Sequence, residues 1–357
     1  MDLFRWYSCA LKTFRMKQLK IICVFVITLC FLTCSHCDEP SKSKGVMLTV
    51  GQLNAVYQKG DNYVAFCDAV KYGDKYYLVF REGMTHAPYH DWHKNGYLKI
   101  FSSKDLDNWA EELEIKDNDW DLRDPCFCVD GSNRLHLYYG YYSFETPNPP
   151  YKTGHSELVL NNGVLKVEKT EKVDIGEFSN LWLWKVYYGE GLFYGTAYGE
   201  GFPLQYVTSK DGIHFQSVSE IIDEGDETSI VDLPDKRKIA VIRSIVPKGK
   251  SDLAISMPPY TEWKTYSLNE MIESPESFIY NGEIYVIGRS AYGMSMFKLD
   301  LDDKKVKPIY NFFAFGSYGD CGYPGVIIED NHLDVLYYSV NPETNVTCIY
   351  QAKLAFQ

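Results

Sequence analysis

Tyr63-Val64-Ala65-Phe66-Cys67-Asp68-Ala69-Val70 is an apolar run; Tyr72-Gly73-Asp74-Lys75 breaks it; Tyr76-Tyr77-Leu78-Val79-Phe80 returns and ends on Arg81-Glu82. Gly tolerates the positive φ of a tight turn, so this stretch reads as a β-hairpin. Working outward, the same arrangement recurs five more times. Residues 125–129 turn at Asp130-Gly131-Ser132-Asn133 and return over 135–140, and residues 181–188 turn at Gly189-Glu190-Gly191 and return over 192–198. Then come 229–233 with Pro234-Asp235-Lys236 and 239–243, 277–280 with Asn281-Gly282 and 283–289, and 325–328 with 329–332 and 333–339. The units open near Ala65, Asp124, Trp182, Glu227, Pro275 and Tyr323, between 45 and 59 residues apart. A strand-and-turn period of that size is the mark of a propeller, not of a helical solenoid. The expected fold is therefore all-β, a six-bladed β-propeller over residues 46–357, with five blades as the alternative. The last unit is one strand short, and residues 46–57 are expected to supply that strand and close the ring. A propeller gathers the inner ends of its blades around one axis, so residues far apart in sequence can share one pocket.

Composition agrees with packed sheets. Of 357 residues, 15% are Phe, Trp or Tyr, and 29 are Tyr; wide side chains fill the space between facing sheets. Residues 1–37 read as a secretory signal peptide: Arg5, Lys12, Arg15, Lys17 and Lys20 precede the apolar run 21–32, and Ser35-His36-Cys37 offers small residues for cleavage. Residues 38–45 are read as a short linker. An apolar run this short falls below the roughly 20 residues a bilayer crossing needs, so the protein is expected to be secreted and free of stable membrane insertion, with an uncleaved signal anchor as the alternative. Loss of the leader leaves 31 basic against 47 acidic side chains. That balance argues against nucleic acid or an anionic membrane as partner, since both call for a clustered basic patch. Five cysteines remain beyond the leader: Cys67, Cys126, Cys128, Cys321 and Cys348. Cys126 and Cys128 point to opposite faces of a strand, and no Cys-x-x-Cys spacing occurs beyond the leader, so neither a metal nor an organic cofactor is expected. Asn345-Val346-Thr347 is the one N-glycosylation sequon, and the expected state is a monomer.

Two turns are alike: Ser103-Lys104-Asp105-Leu106-Asp107-Asn108-Trp109 and Ser209-Lys210-Asp211-Gly212-Ile213-His214-Phe215. In each, the Asp is placed to accept backbone N–H groups and the aromatic to pack beneath, a structural role. These turns resemble degenerate Asp-boxes of the sialidase superfamily. Phe80-Arg81-Glu82 resembles that family's first-arginine segment, and Glu227-Thr228, Arg243, Arg289 and Tyr323 follow in the family's order. Residues 80–86, Asp121-Leu122-Arg123-Asp124-Pro125, Trp182-Leu183-Trp184-Lys185 and Gly319-Asp320-Cys321-Gly322-Tyr323-Pro324-Gly325 are similar to segments of uncharacterised, mainly bacterial sialidase-like proteins. The likeness covers residues 46–357.

The resemblance implies a secreted exo-glycosidase acting on a terminal sialic acid or a related acidic sugar, such as a uronic or ulosonic acid. Arg81, Arg243 and Arg289 would grip the carboxylate, because guanidinium forks bind carboxylates bidentately and stay charged at any working pH. Tyr323 would be the nucleophile with Glu227 as its base; a neutral phenol meets no repulsion from the substrate's own charge. For the acid/base, Asp91 in the loop 82–94 fits by residue type and Asp124 by its place at the start of the second blade, with His86 as a further possibility. Arg123 and Trp182 complete the expected substrate contacts, since one of the two tryptophans 182 and 184 is expected to face the axis and stack on a sugar. Two other readings compete. One is a two-carboxylate, arabinanase-like propeller glycosidase using Asp124, Glu227 and Glu276; the other is a glycan-binding propeller without turnover.

Overall fold

A computed structural model describes residues 48–87, 95–143, 146, 149–243, 249–312, 320–329 and 332–356. The expected leader, the linker and Asp91 lie outside these residues. The described chain forms six four-stranded sheets, paired antiparallel wherever a register is given. Their inner strands are Tyr63–Tyr72, Asp121–Val129, Trp182–Gly189, Thr228–Asp232, Glu273–Tyr280 and Cys321–Ile328. Each inner strand packs on the next and the sixth packs on the first, which closes a ring of six blades and sets aside the five-bladed alternative. In blade 6 the fourth place is filled by Leu48–Tyr57, antiparallel to Thr347–Phe356 from Leu48 opposite Phe356 to Tyr57 opposite Ile349. No helix among the described residues is long and apolar enough to cross a membrane.

The core consists of six apolar clusters, one at each junction between blades. Between blades 1 and 2, for example, Tyr77, Leu98 and Ile100 meet Leu122, Leu137 and Leu158. A blade is covered on both faces, so its inner strands read as nearly continuous apolar runs where a one-sided sheet would alternate. The two Ser-x-Asp turns join the third and fourth strands of blades 1 and 3. Asp105 Oδ1 accepts the N–H of Asp107 at 2.9 Å and of Asn108 at 2.8 Å, and Asp211 Oδ1 accepts those of Ile213 and His214 at 2.9 Å each. Phe215 is buried beneath its turn, while Trp109 is half-buried and donates its indole N–H to Gln351 Oε1 at 2.9 Å.

One irregularity positions everything that follows. Five of the six inner strands shift register near their start, at Ala65/Asp68, Arg123/Cys126, Trp184/Val186, Glu273/Glu276 and Gly322/Gly325. Inside each shift stands one non-glycine residue at positive φ: Phe66 (56°), Asp124 (49°), Lys185 (48°), Ser274 (44°) and Tyr323 (52°). Blade 4 runs without a shift. A bulge turns a side chain out of the strand's alternation, and a strained φ of this kind costs about 1–3 kcal/mol. The same strained step recurs in five blades.

Candidate active site

A cavity of about 140 Å³ lies at the end of the ring where inner strands begin and their hairpin partners finish. Three bulge residues line it, Phe66, Asp124 and Tyr323, together with Glu227 just before the inner strand of blade 4. Arg243 and Arg289 enter from the ends of the second strands of blades 4 and 5, and Arg123, His86 and Tyr338 complete the wall.

At its centre the Tyr323 hydroxyl donates to Glu227 Oε1. Glu227 is 2% exposed, and its other oxygen accepts the Ser274 backbone N–H at 2.8 Å and lies 3.0 Å from Arg243 Nη1. Ser274 holds both members of the pair, because its Oγ accepts the Tyr323 backbone N–H at 3.1 Å. Burial first, and then the negative charges of Asp124 and Glu227, push the Tyr323 phenol well above its ordinary value, so the resting group is a neutral phenol.

Glu273 sets the spacing of two guanidinium groups: one of its oxygens lies 3.3 Å from Arg243 Nε and the other 2.7 Å from Arg289 Nε. Arg123 approaches from the opposite side, its guanidinium 5.0 Å from the Phe66 ring centre and 4.7 Å from that of Tyr142, and donates to the His86 carbonyl. Burial pushes the Asp124 carboxyl up to about 7, with Arg123 opposing and Glu227 and Asp226 reinforcing. His86 is hydrogen-bonded through Nδ1 to the Tyr63 hydroxyl at 2.7 Å, and that hydroxyl donates to Asp320 Oδ1 at 2.5 Å. Burial and then the Arg123 charge lower the His86 imidazole to about 4, which leaves it neutral at neutral pH.

Of the three arginines the sequence proposes, the structure brings two together. Arg81 is fully buried behind the cavity, with Nε 2.9 Å and Nη2 2.5 Å from the two oxygens of Asp121 and Nη1 donating to the Thr85 carbonyl at 2.9 Å. It fits because Gly83 and Gly96 flank it; a Cβ on Gly96 would lie 2.2 Å from Arg81 Nε. Arg123 stands in the cavity in its place. Trp182 also departs from expectation: it lines a neighbouring cavity, and Trp184 is the tryptophan that meets Tyr323, edge-on at 6.0 Å. Glu276 does not line the site. It pairs with Lys185, a bulge residue 7% exposed, whose Nζ also lies 3.7 Å from Asp68. The five cysteines among the described residues are buried thiols with no disulfide among them. Sequence reasoning missed Phe66, Glu273, Ser274 and Tyr338. The repeated X-Pro steps Asp124-Pro125, Ser274-Pro275 and Tyr323-Pro324 were the available signal, since proline in a strand favours a bulge.

No protein-family model matches the chain, and neither does any curated protein sequence. Solved structures do. A protein of unknown function from Dyadobacter fermentans superposes with a TM-score of 0.74 at 17% identity, over 87% of this chain and 99% of that one. Trypanosoma rangeli sialidase in complex with sialic acid matches with a TM-score of 0.57 at 13% identity, over 82% of this chain and 54% of the other. The fold is that of the sialidase propeller. The phage phi92 endosialidase shares it as well, with a TM-score of 0.58 at 11% identity over 86% of this chain and 69% of that one. This sialidase-like propeller spans about half the length of the trypanosomal enzyme.

Proposed function

We propose that the chain is a secreted glycosidase of sialidase type, which removes a terminal sialic acid or related acidic sugar. The leader-like residues 1–37 support export. The observation that carries the reading is the Tyr323–Glu227 hydrogen bond set in one cavity with three guanidinium groups. Arg123, Arg243 and Arg289 grip the sugar's carboxylate, a planar acceptor that suits their forks. As Tyr323 Oη attacks the anomeric carbon, Glu227 takes the phenolic proton and Asp124, protonated below about pH 7, gives its proton to the departing oxygen. A water then attacks the tyrosyl–sugar bond with Asp124 as base, and the phenolate recovers its proton from Glu227; anomeric configuration is retained. The cavity is small beside the roughly 300–1,000 Å³ of sites for drug-sized ligands, which favours one terminal ring over an internal stretch of polymer. The arabinanase-like alternative loses support, because Glu276 is tied to Lys185 outside the cavity.

The test is hydrolysis of fluorogenic sialic, uronic and neutral glycosides by the mature protein and by Tyr323→Phe and Arg243→Ala. Acidic-sugar cleavage that both substitutions abolish supports the proposal. Cleavage of neutral glycosides by Tyr323→Phe at the wild-type rate would sink it, and saturable glycan binding without hydrolysis would establish a lectin-like role instead.

A further inference from the structure

A second cavity, of about 640 Å³, opens on the same end of the ring toward blade 3. The two meet at one dipeptide: Asp226 lines the larger and Glu227 the smaller, and Arg243 Nη1 lies 3.8 Å from the first carboxylate and 3.0 Å from the second. Anything that extends from a sugar held against Glu227 past Asp226 enters this space. Its walls suit a sugar. Trp182 and Phe202 contribute aromatic surface, and Phe202 is 40% exposed. Trp182 is nine-tenths buried, yet its indole Nε1–H has no hydrogen-bond partner among the described residues. A buried donor left unpaired is costly, and a ligand hydroxyl that accepts from it relieves that cost. The indole reaches this position because residue 140 is glycine; a Cβ there would lie 1.9 Å from the ring.

Charge is the cavity's second property. Among the described residues Glu200, Asp223, Glu224 and Asp226 line it against a single cation, Lys152. The neighbouring cavity instead gathers three arginines. The two halves of the surface are thus built for different electrostatic partners.

We propose that the larger cavity receives the leaving group, and that its carboxylates select a neutral or amine-bearing sugar there and reject an anionic one. This rests on the glycosidase reading of the smaller cavity. The enzyme then cuts an acidic sugar from a neutral neighbour and spares the bond between two acidic sugars.

The experiment compares kcat/KM for two substrates with the same terminal acidic sugar, one linked to a neutral hexose and one to a second acidic sugar, in low and high salt. Two exposed like-charge contacts of ordinary strength predict a preference of roughly ten-fold for the neutral leaving group. Salt shrinks it. The double variant Asp223→Lys/Glu224→Lys, checked for folding by thermal unfolding, is expected to lose most of the preference; the ratio within one variant cancels any general loss of activity. Equal turnover of both substrates, or a preference that charge reversal leaves intact, overturns the inference while acidic-sugar hydrolysis stands. Failure to cleave any acidic-sugar glycoside overturns both readings together.

Discussion

Replacing Arg81 by Met separates a buried ion pair from a substrate contact. The guanidinium supplies Asp121 with two hydrogen bonds, at 2.9 and 2.5 Å, and both side chains are fully excluded from solvent. After the substitution Asp121 keeps, among the described residues, the Gly96 N–H at 2.5 Å and the more distant Arg123 Nε at 3.5 Å, and the Thr85 carbonyl loses this donor. Breaking one side of a buried pair destabilises by about 3–5 kcal/mol. An unfolding entropy of ~2.1 cal/mol/K per residue over the roughly 310 residues of the ring converts this to a fall in Tm of about 5–8 °C. Arg123→Met leaves the buried pair intact, so its Tm is expected to fall by less than half as much while acidic-sugar binding is lost. The double variant Arg81→Met/Asp121→Leu is expected to regain most of the stability, because it removes the stranded charge. Thermal unfolding followed by circular dichroism, with calorimetric titration of an acidic sugar, reads both effects. If Arg81→Met keeps its Tm within about 2 °C and loses sugar binding, Arg81 is a ligand contact and the assignment of Arg123 is wrong.

Three further outcomes follow from the site. Asp124 titrates at about 7 in the folded chain and near 3.9 when unfolded, so the folded state holds the extra proton between those values; stability falls as pH rises through that window, and Asp124→Asn should flatten the upper part of the slope in denaturant titrations at pH 4–8. Ser274→Ala removes the acceptor of the Tyr323 N–H and is expected to lower kcat for acidic-sugar cleavage roughly 10- to 100-fold with little change in KM; an unchanged kcat would show that Tyr323 is placed without it. Lys185→Met strands Asp68 and Glu276 in the interior and should destabilise by about 3–5 kcal/mol, most at alkaline pH because the two carboxyls must then ionise unpaired, so a loss that does not grow from pH 5 to pH 8 contradicts the arrangement.

The ring was legible because its signals are local. Asn281-Gly282 and Gly189-Glu190-Gly191 mark hairpins by turn chemistry, and the strand missing from the last unit pointed to residues 46–57 as its complement. The order Glu227, Arg243, Arg289, Tyr323 was legible too, since the topology carries the starts of inner strands and the ends of their partners to one face. Arg81 and Arg123 could not be told apart in this way. Both lie near the cavity end of their hairpins, and what sends Arg81 inward is a slot between Gly83 and Gly96, glycines whose meaning depends on tertiary contact. The bulges were hidden for a related reason. Left-handed backbone is ordinarily read from glycine, whereas here Phe66, Asp124, Lys185, Ser274 and Tyr323 adopt it.

The pairing of Leu48–Tyr57 with Thr347–Phe356 has a consequence in time. Nearly three hundred residues separate the two strands, so at a synthesis rate of 5–20 residues per second the first waits roughly 15–60 s for its partner. Through that interval it is an unclaimed strand edge, open to a second nascent chain that offers the same complement. Crowded ribosomes on one message would therefore favour exchanged dimers, in which each ring is latched by its neighbour's first strand.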